Sequence, residues 1–222
     1  MAEILLIRHG QSANNALDEA LRVCDPNLTE VGRRQAIALA DHLQDQAIDR
    51  LYCSPFRRSL ETTRPIADRL GIRPSIRADI FEQGGCYSGY QVGQRRGEPG
   101  LGAVHLQQEY PGWEIDSRID SAGWWNRPYE SREQAIRRAA SVRRWLETDV
   151  ASQGGRHALI IHADFKFLLL QELLGADAAE LQGLFAGSLW NAGISRLCFQ
   201  GSQWIASTLN DASHLAPDQR TR

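Results

Sequence analysis

Short apolar segments alternate with amphipathic stretches along this chain. Residues 4–7 are apolar at every position, which is typical of a strand buried on both faces, and strands are also predicted at 51–53 and 157–161. Two more strands, at 194–199 and 204–209, are predicted around a Gly-Ser turn. Between the strands, apolar residues recur at the spacing of a helix that buries one face. This alternation predicts an α/β fold with a mainly parallel central sheet.

Capping residues mark where several of the predicted helices begin. Thr29 precedes one amphipathic stretch, and Ser131 with Gln134 forms a capping box before another. Ser54 followed by Pro55 predicts an N-cap with proline at the first position of a third helix. Local sequence therefore predicts the starts of these helices as well as their buried faces.

Residues 83–130 depart from this pattern. They contain many glycine and aromatic residues and show little periodicity, apart from a short helix predicted at 102–110. We interpret them as an insertion in a single domain that spans residues 1–215, followed by a flexible tail at 216–222. The aromatic residues of the insertion predict either a lid over a ligand pocket or a small satellite core, and the sequence favours neither.

Composition and charge narrow the class of partner. The 222 residues carry a net charge of −2, so we expect no general affinity for nucleic acid or anionic membranes. No stretch approaches the roughly 20 apolar residues that span a bilayer, and no basic leader precedes the first strand. The four cysteines are scattered without zinc-ligand spacing. We expect a soluble protein of the reducing cytoplasm. The sequence does not indicate an oligomeric state, and a homodimer is a possible state because dimers are common among soluble proteins.

Basic and imidazole side chains follow the predicted strands. Arg8 and His9 come directly after the first strand, His162 follows a later one, and Arg58 lies about one helical turn beyond a third. Ligands of open α/β sheets bind beyond the carboxyl ends of the strands, so we expect these four side chains to converge. Two guanidiniums and two imidazoles suit a dianionic phosphate ester.

The run Leu-Ile-Arg-His-Gly-Gln-Ser at residues 6–12 resembles the signature of the histidine phosphatase superfamily, which includes the cofactor-dependent phosphoglycerate mutases. Further segments similar to the family's motifs follow in the same order along the chain: Asn15, residues 28–36, residues 54–62 and residues 210–215. The Arg-His-Gly triplet alone is unspecific, whereas the ordered blocks together are specific. The resemblance covers most of the chain and implies a three-layer α/β sandwich with a phosphoglycerate mutase-like fold.

The resemblance also implies a mechanism of phosphomonoester hydrolysis. His9 attacks phosphorus and becomes phosphorylated. Arg8, Arg58 and His162 hold the phosphate oxygens, and Asn15 adds a neutral donor. No metal or other cofactor is implied.

Two acidic residues compete for the role of proton donor. Glu82 lies where the family places its proton-donating glutamate. Asp164, within a His-Ala-Asp run, is similar to the acidic residue of the inositol-phosphate branch of the superfamily. We favour Glu82, because Asp164 also suits the first turn of the helix that follows His162.

The substrate is expected to be a small phosphorylated metabolite or a phosphopeptide. Arg95 and Arg96 in the insertion are predicted to contact a second anionic group of that substrate. Two alternatives stay open: a phosphotransferase of the phosphoglycerate mutase type, and a non-catalytic module that binds phosphorylated ligands. His157 lies an odd number of positions before His162, so it faces the other side of the strand and is interpreted as structural.

Overall fold

The computed structural model describes residues 1–91, 93–184 and 187–222. Its strands are β1 (Ala2–Arg8), β2 (Arg50–Cys53), β3 (Ser75–Ile76), β4 (Tyr87–Ser88), β5 (Arg96–Gly97), β6 (Glu114–Ile115), β7 (Gly155–Ile161), β8 (Ile194–Gln200) and β9 (Gln203–Asp211). Its α-helices are α1 (Ala13–Ala16), α2 (Glu30–Leu43), α3 (Arg57–Leu70), α4 (Ala103–Glu109), α5 (Arg132–Trp145), α6 (Ala151–Gln153), α7 (Ala163–Leu174) and α8 (Ala178–Gly183). Among the described residues, no helix is long and apolar enough to cross a membrane.

Seven of these strands form one sheet in the order β6-β3-β2-β7-β1-β8-β9. The pairs from β6 to β1 are parallel, and β8 and β9 add an antiparallel edge. The carboxyl ends of β1, β2 and β7 therefore lie side by side. The α/β fold with a mainly parallel sheet is confirmed.

The sheet is covered by helices on both faces. Successive side chains of β1 point to opposite faces, so Leu5 and Ile7 pack in the core beneath α2 and α3. Ile4 and Leu6 pack in a second core beneath α5 and α7. This is the three-layer sandwich expected from the sequence, and it explains why residues 4–7 are apolar at every position.

Two of the three predicted helix starts are confirmed, and the third is wrong. Thr29 and Ser131 cap α2 and α5 through their side chains. The third helix, α3, begins at Arg57 rather than directly after Ser54, and its N-cap is Phe56. Asp25, from a distant loop, accepts a hydrogen bond from the amide of Arg57 at 2.9 Å. The helix start is thus satisfied by a tertiary contact, which leaves the Ser54 hydroxyl for the site.

Hydrogen bonds connect the segment 216–222, for which a flexible tail was predicted, to the domain. The buried side chain of Gln35 donates from Nε2 to the carbonyl oxygen of Gln219 at 2.6 Å. The amide of Asn191 donates to the carbonyl oxygen of Thr221 at 2.9 Å. The tail thus supplies hydrogen-bond acceptors to the side chain of Gln35 and the amide of Asn191. Buried polar groups of this kind are rarely left without a partner.

The insertion divides between core and rim. Trp124 and Trp125 are 3% and 6% exposed and join the core beneath α2 and α3. Tyr87 and Tyr90 are only partly buried and their rings contact each other at an interplanar angle of 45°, with ring centroids 5.0 Å apart. Position 92 of the insertion lies outside the described residues.

Candidate active site

The loop that follows β1 carries His9 and packs directly against the start of α2. Gly10 is required there, because a Cβ at this position would lie 2.6 Å from the carbonyl oxygen of Gly32. The amide of Gly10 also donates to Thr62 Oγ1 on α3 at 3.0 Å. These contacts fix the backbone next to His9, whose side chain is 3% exposed.

The hydrogen bonds of His9 define its tautomer. Nδ1 lies 2.6 Å from the carbonyl oxygen of Gly10 and must donate to it, so Nε2 carries no proton in the neutral ring. Nε2 accepts a hydrogen bond from Arg58 Nε at 3.1 Å. Burial, followed by the charges of Arg58 and Arg8, holds the pKa of His9 well below its usual value. His9 is therefore a neutral imidazole whose Nε2 lone pair is directed at a cation.

Two buried guanidiniums lie beside this imidazole. Arg8 and Arg58 are 6% and 8% exposed, and burial lowers the pKa of both, that of Arg8 to about 10. Arg8 Nη1 donates to the carbonyl oxygen of Leu189 at 2.5 Å. Arg8 Nε has no hydrogen-bond partner within residues 1–91, 93–184 and 187–222. Two cations and an unpaired donor favour an anion at this place.

His162 stands directly after β7 and is fully buried. Its ring centroid lies 5.0 Å from that of His9. Ser54 Oγ lies 2.7 Å from His162 Nε2, while Nδ1 has no partner in the described part of the chain. Burial and then the charge of Arg58 hold the pKa of His162 well below its usual value, so this second imidazole is also neutral.

Glu82, in the loop after β3, caps the N-terminus of α7. Its Oε1 accepts a hydrogen bond from the amide of Phe165 at 3.0 Å, and Oε2 lies 3.4 Å from the amide of Asp164. Burial, followed by the nearby carboxylate of Asp164, raises the pKa of Glu82 to about 7, against the opposing charge of Arg58. A carboxyl with this pKa is partly protonated near neutral pH. Asp164 is exposed in the first turn of α7.

A cavity of about 360 Å³ opens onto these side chains. Its wall includes six of the residues predicted from the sequence: Arg8, His9, Asn15, Arg58, Glu82 and Asp164. His162 lies buried next to His9. Asn15 Oδ1 accepts hydrogen bonds from the amide and the hydroxyl of Ser12 at 2.9 and 3.0 Å, which leaves Nδ2 as the donor of its amide group. Seven sequence-predicted residues therefore converge on one place.

A comparison with known protein families agrees with this arrangement. The sequence model of the histidine phosphatase superfamily (branch 1) matches residues 4–212. This chain belongs to the histidine phosphatase superfamily. A probable phosphoglycerate mutase, GpmB, of Yersinia pestis (strain Pestoides F) is 28% identical over 221 residues, which cover 97% of this chain and 95% of that protein. The match supports a phosphatase or mutase activity for this histidine phosphatase superfamily member.

Solved structures of similar fold include two phosphatases. A mycobacterial glucosyl-3-phosphoglycerate phosphatase solved with VO3 aligns with a TM-score of 0.64 at 20% identity, over 96% of this chain and 100% of that chain. A phosphoserine phosphatase of Entamoeba histolytica solved with 3-phosphoglyceric acid aligns with a TM-score of 0.66 at 20% identity, over 97% of this chain and 100% of that chain. At this identity the likeness shows the phosphoglycerate mutase-like fold, which is confirmed.

Two polar side chains near the site of this histidine phosphatase superfamily member were not predicted from the sequence. Asn191 Nδ2 donates to the carbonyl oxygen of His9 at 3.3 Å and lies 3.4 Å from Asn15 Oδ1. Lys166 is fully buried and donates from Nζ to the carbonyl oxygen of Gly193 at 2.8 Å, and burial lowers its pKa to about 7. Lys166 could have been singled out from the sequence, because it is a lysine within a strongly apolar helix. Asn191 has no local signal, because only the fold brings it to His9.

Arg95 and Arg96 lie outside the cavity wall. Both are exposed, and the Arg95 guanidinium stands 4.2 Å from the ring of Tyr129. Besides Arg8 and Arg58, the wall contains the arginines Arg22 and Arg222, together with Tyr87 and Tyr90. Arg95 and Arg96 are therefore not among the residues that line the cavity.

Proposed function

We propose that this protein hydrolyses phosphomonoesters through a phosphohistidine formed on His9. The observation that supports this most directly is the unprotonated Nε2 of a neutral, buried His9, held 3.1 Å from Arg58 Nε and beside the second buried guanidinium, that of Arg8. A nucleophile needs an available lone pair, and this tautomer supplies it without a general base. The two guanidiniums offset the negative charge of the incoming phosphate.

Phosphate binding would satisfy the donors that lack partners. Arg8 Nε and His162 Nδ1 are buried without hydrogen bonds among the described residues, and such groups are costly to leave unpaired. Ser54 Oγ accepts a hydrogen bond from the amide of Phe56 at 3.4 Å and keeps its own proton, which we assign to the contact with His162 Nε2. The proton of His162 then resides on Nδ1. We assign both orphan donors, with Arg58 and Asn15 Nδ2, to the non-bridging oxygens of the phosphate.

The first half-reaction transfers the phosphoryl group to the protein. His9 Nε2 attacks phosphorus in line, a nitrogen–phosphorus bond forms, and the bond to the leaving oxygen breaks. Glu82, protonated near neutral pH, gives its proton to that oxygen and becomes a carboxylate. A dianionic phosphate in the cavity raises the pKa of Glu82 further and so favours its acid form.

The second half-reaction returns the protein to its starting state. The Glu82 carboxylate takes a proton from water as the water oxygen attacks phosphorus. The nitrogen–phosphorus bond breaks, His9 Nε2 regains its lone pair, and inorganic phosphate leaves. Water is the only co-reactant that the balance requires. No protein residue changes its net protonation over the full cycle.

We further propose that the substrate is a small phosphorylated metabolite that carries a second anion. Arg22 in the outer wall supplies a positive charge beyond the phosphate position. An adjoining cleft of about 540 Å³ shares Asp164 and Leu189 with the cavity, which leaves room for the alcohol part of the ester. The 3-phosphoglyceric acid bound by the similar Entamoeba histolytica phosphatase has this chemistry.

Hydrolysis and phosphate transfer are separated by assaying p-nitrophenyl phosphate and 3-phosphoglycerate. We expect both to release inorganic phosphate at steady state, with or without a chelator and with or without 2,3-bisphosphoglycerate. Conversion of 3-phosphoglycerate into 2-phosphoglycerate faster than phosphate release would establish the mutase that the relatives' name indicates. Binding of phosphorylated metabolites without any turnover would establish the non-catalytic alternative.

Replacing Arg22 with alanine should selectively weaken the binding of substrates that carry a second anionic group. We expect KM for 3-phosphoglycerate to rise about tenfold, since one charged hydrogen bond contributes roughly 1.5 kcal/mol, while KM for p-nitrophenyl phosphate changes less than about twofold. Arg95→Ala is the matched control, because Arg95 is an arginine outside the wall. A selective loss in Arg95→Ala or Arg96→Ala, with none in Arg22→Ala, would instead support the role predicted for the insertion pair.

A further inference from the structure

The hydroxyl of Thr221 lies between two buried side-chain amides that contact the His9 loop, residues 9–12. Gln35 Nε2 donates a hydrogen bond to Thr221 Oγ1 at 2.9 Å, and Thr221 Oγ1 donates one to Asn191 Oδ1 at 3.0 Å. Gln35 and Asn191 are both fully buried. A hydroxyl can accept one hydrogen bond while it donates another, so a single group serves both amides.

The amide of Gln35 connects Thr221 to the backbone of the His9 loop. Gln35 Oε1 accepts a hydrogen bond from the amide of Gln11 at 2.7 Å, and Nε2 also donates to the carbonyl oxygen of Gln219 at 2.6 Å. Because Gln11 offers an N–H and Gln219 a carbonyl, the two ends of the Gln35 amide cannot be exchanged. The Thr221 hydroxyl therefore accepts from Gln35 and must direct its own proton elsewhere.

The amide of Asn191 connects Thr221 to His9 itself. Asn191 Nδ2 donates to the carbonyl oxygen of His9 at 3.3 Å and lies 3.4 Å from Asn15 Oδ1. Both neighbours are oxygens, so the nitrogen end of this amide faces them and its oxygen end faces Thr221. The Thr221 proton bonds to that buried oxygen and so stabilises the orientation in which Nδ2 faces His9.

Asn15 is the residue through which these hydrogen bonds reach the phosphate position. It belongs to the cavity wall, and its Oδ1 accepts from the amide and the hydroxyl of Ser12 at 2.9 and 3.0 Å. The contact with Asn191 Nδ2 places a further donor beside the same oxygen. Asn15 Nδ2 is thereby left as the end of the amide that is available to a phosphate oxygen.

We propose that Thr221 is a positioning residue of the active site, whose hydroxyl fixes the amide orientations of Gln35 and Asn191 and thereby the backbone of the His9 loop. The expected effect on turnover rests on the proposed phosphatase activity, whereas the effect on the loop backbone does not. Thr221 is not among the residues that line the cavity, so it acts through the two amides rather than on the substrate.

Loss of the hydroxyl should affect phosphoryl transfer more than substrate binding. Arg8 is held by the carbonyl oxygen of Leu189 and Arg58 belongs to α3, so both guanidiniums keep their places when Thr221 changes. A displacement of about 1 Å near reacting groups can lower turnover on the order of 100-fold, and a smaller shift costs less. We expect Thr221→Val to lower kcat for p-nitrophenyl phosphate about tenfold and to change KM less than about threefold.

Thr221→Ser keeps the hydroxyl, loses the methyl group, and should retain kcat within about twofold of the wild type. A role in packing alone predicts the opposite order of the two variants. The matched control is Thr208→Val, which makes the same change at a half-buried threonine of β9 and should leave kcat and KM within about twofold. Equal losses in Thr221→Ser and Thr221→Val, or a Thr221→Val protein with unchanged kcat, would overturn the proposal.

A double-mutant cycle tests whether Thr221 acts through Asn191. In Asn191→Ala protein, Thr221→Val should lower kcat further by less than about threefold, because part of the network is already absent. A further tenfold loss would show that the two residues act independently and would contradict the proposed connection.

Hydrogen exchange of the Gln11 amide tests the same role without any turnover. Measured in substrate-free protein, this amide should exchange faster in Thr221→Val than in the wild type, and at the wild-type rate in Thr221→Ser. An unchanged exchange rate in Thr221→Val would overturn the positioning of the loop by Thr221. Failure of the phosphatase proposal would be recognised separately, as absent turnover in wild-type protein, because the exchange measurement does not depend on activity.

Discussion

Alanine at position 9 is expected to lower kcat/KM for phosphomonoesters on the order of 10⁴-fold or more, because no other described side chain offers an equivalent lone pair to phosphorus. Arg8, Arg58 and His162 would remain, so the variant should still bind inorganic phosphate or vanadate. Steady-state kinetics and an equilibrium binding measurement separate the two effects. A His9→Ala variant that keeps more than about a tenth of the activity would contradict nucleophilic catalysis by His9.

The matched control for this loss is a buried histidine elsewhere on the same sheet. His157 lies near the start of β7, where it stacks on Tyr52 and its Nε2 lies 2.8 Å from the carbonyl oxygen of Gly154. His157→Ala should lower the free energy of unfolding by about 1–3 kcal/mol while leaving kcat/KM of the folded protein within about twofold. The contrast would show that the effect of His9→Ala is chemical and does not come from a lost buried ring.

Glu82→Gln should lower kcat/KM about 10²- to 10³-fold for an alkyl phosphate and less than about tenfold for p-nitrophenyl phosphate. The difference follows from the leaving groups, since an alkoxide needs a proton and p-nitrophenolate does not. Asp164→Asn is the matched control and should change kcat/KM for either substrate less than about threefold. If Asp164→Asn gave the larger and leaving-group-dependent loss, Asp164 would be the proton donor and Glu82 would only cap α7.

The proposed role of Glu82 also predicts how kcat/KM for an alkyl phosphate depends on pH. In the proposed mechanism Glu82 acts as an acid, and its pKa is raised to about 7, so kcat/KM should fall as the pH rises through about 7. His9 stays neutral well below its usual pKa, so the acid limb should follow the second ionisation of the substrate phosphate, near pH 6. Glu82→Gln should lose the limb near pH 7 and keep the limb near pH 6.

The central strands were predictable because burial on both faces leaves a continuous apolar run. Residues 4–7 marked β1, but the strand extends over Ala2–Arg8 and includes Glu3. That carboxylate is tolerated because Arg156 and Arg196, on the two neighbouring strands, pair with it. Such cross-strand pairing cannot be recognised until the strand order is known, so the prediction ended where the apolar run ended.

The residues of the candidate site that directly follow a strand could be predicted from the sequence. Residues that only tertiary packing brings to the site could not. Arg8, His9 and His162 follow β1 and β7 directly, and parallel strands bring their carboxyl ends together. Ser54 was predicted to be a helix N-cap because Pro55 follows it. In the structure its hydroxyl contacts His162 instead. Asn191 is brought to His9 by tertiary packing alone.

The insertion was the least predictable part because its strands are too short to leave a period. Strands β4, β5 and β6 have two residues each, which is only a single repeat of an alternating pattern. Its aromatic residues split between the core and the rim, so neither the lid nor the satellite core describes all of them.

The most direct measurement is the capture of the proposed intermediate on His9. Protein mixed with ³²P-labelled phosphomonoester and denatured within one turnover should carry label that is lost in acid and stable in alkali, and peptide mapping should locate it on His9. Chasing with unlabelled substrate should release the label as inorganic phosphate at the rate of turnover. Wild-type protein that turns over without such label, or carries it on another residue, would contradict a phosphohistidine at His9.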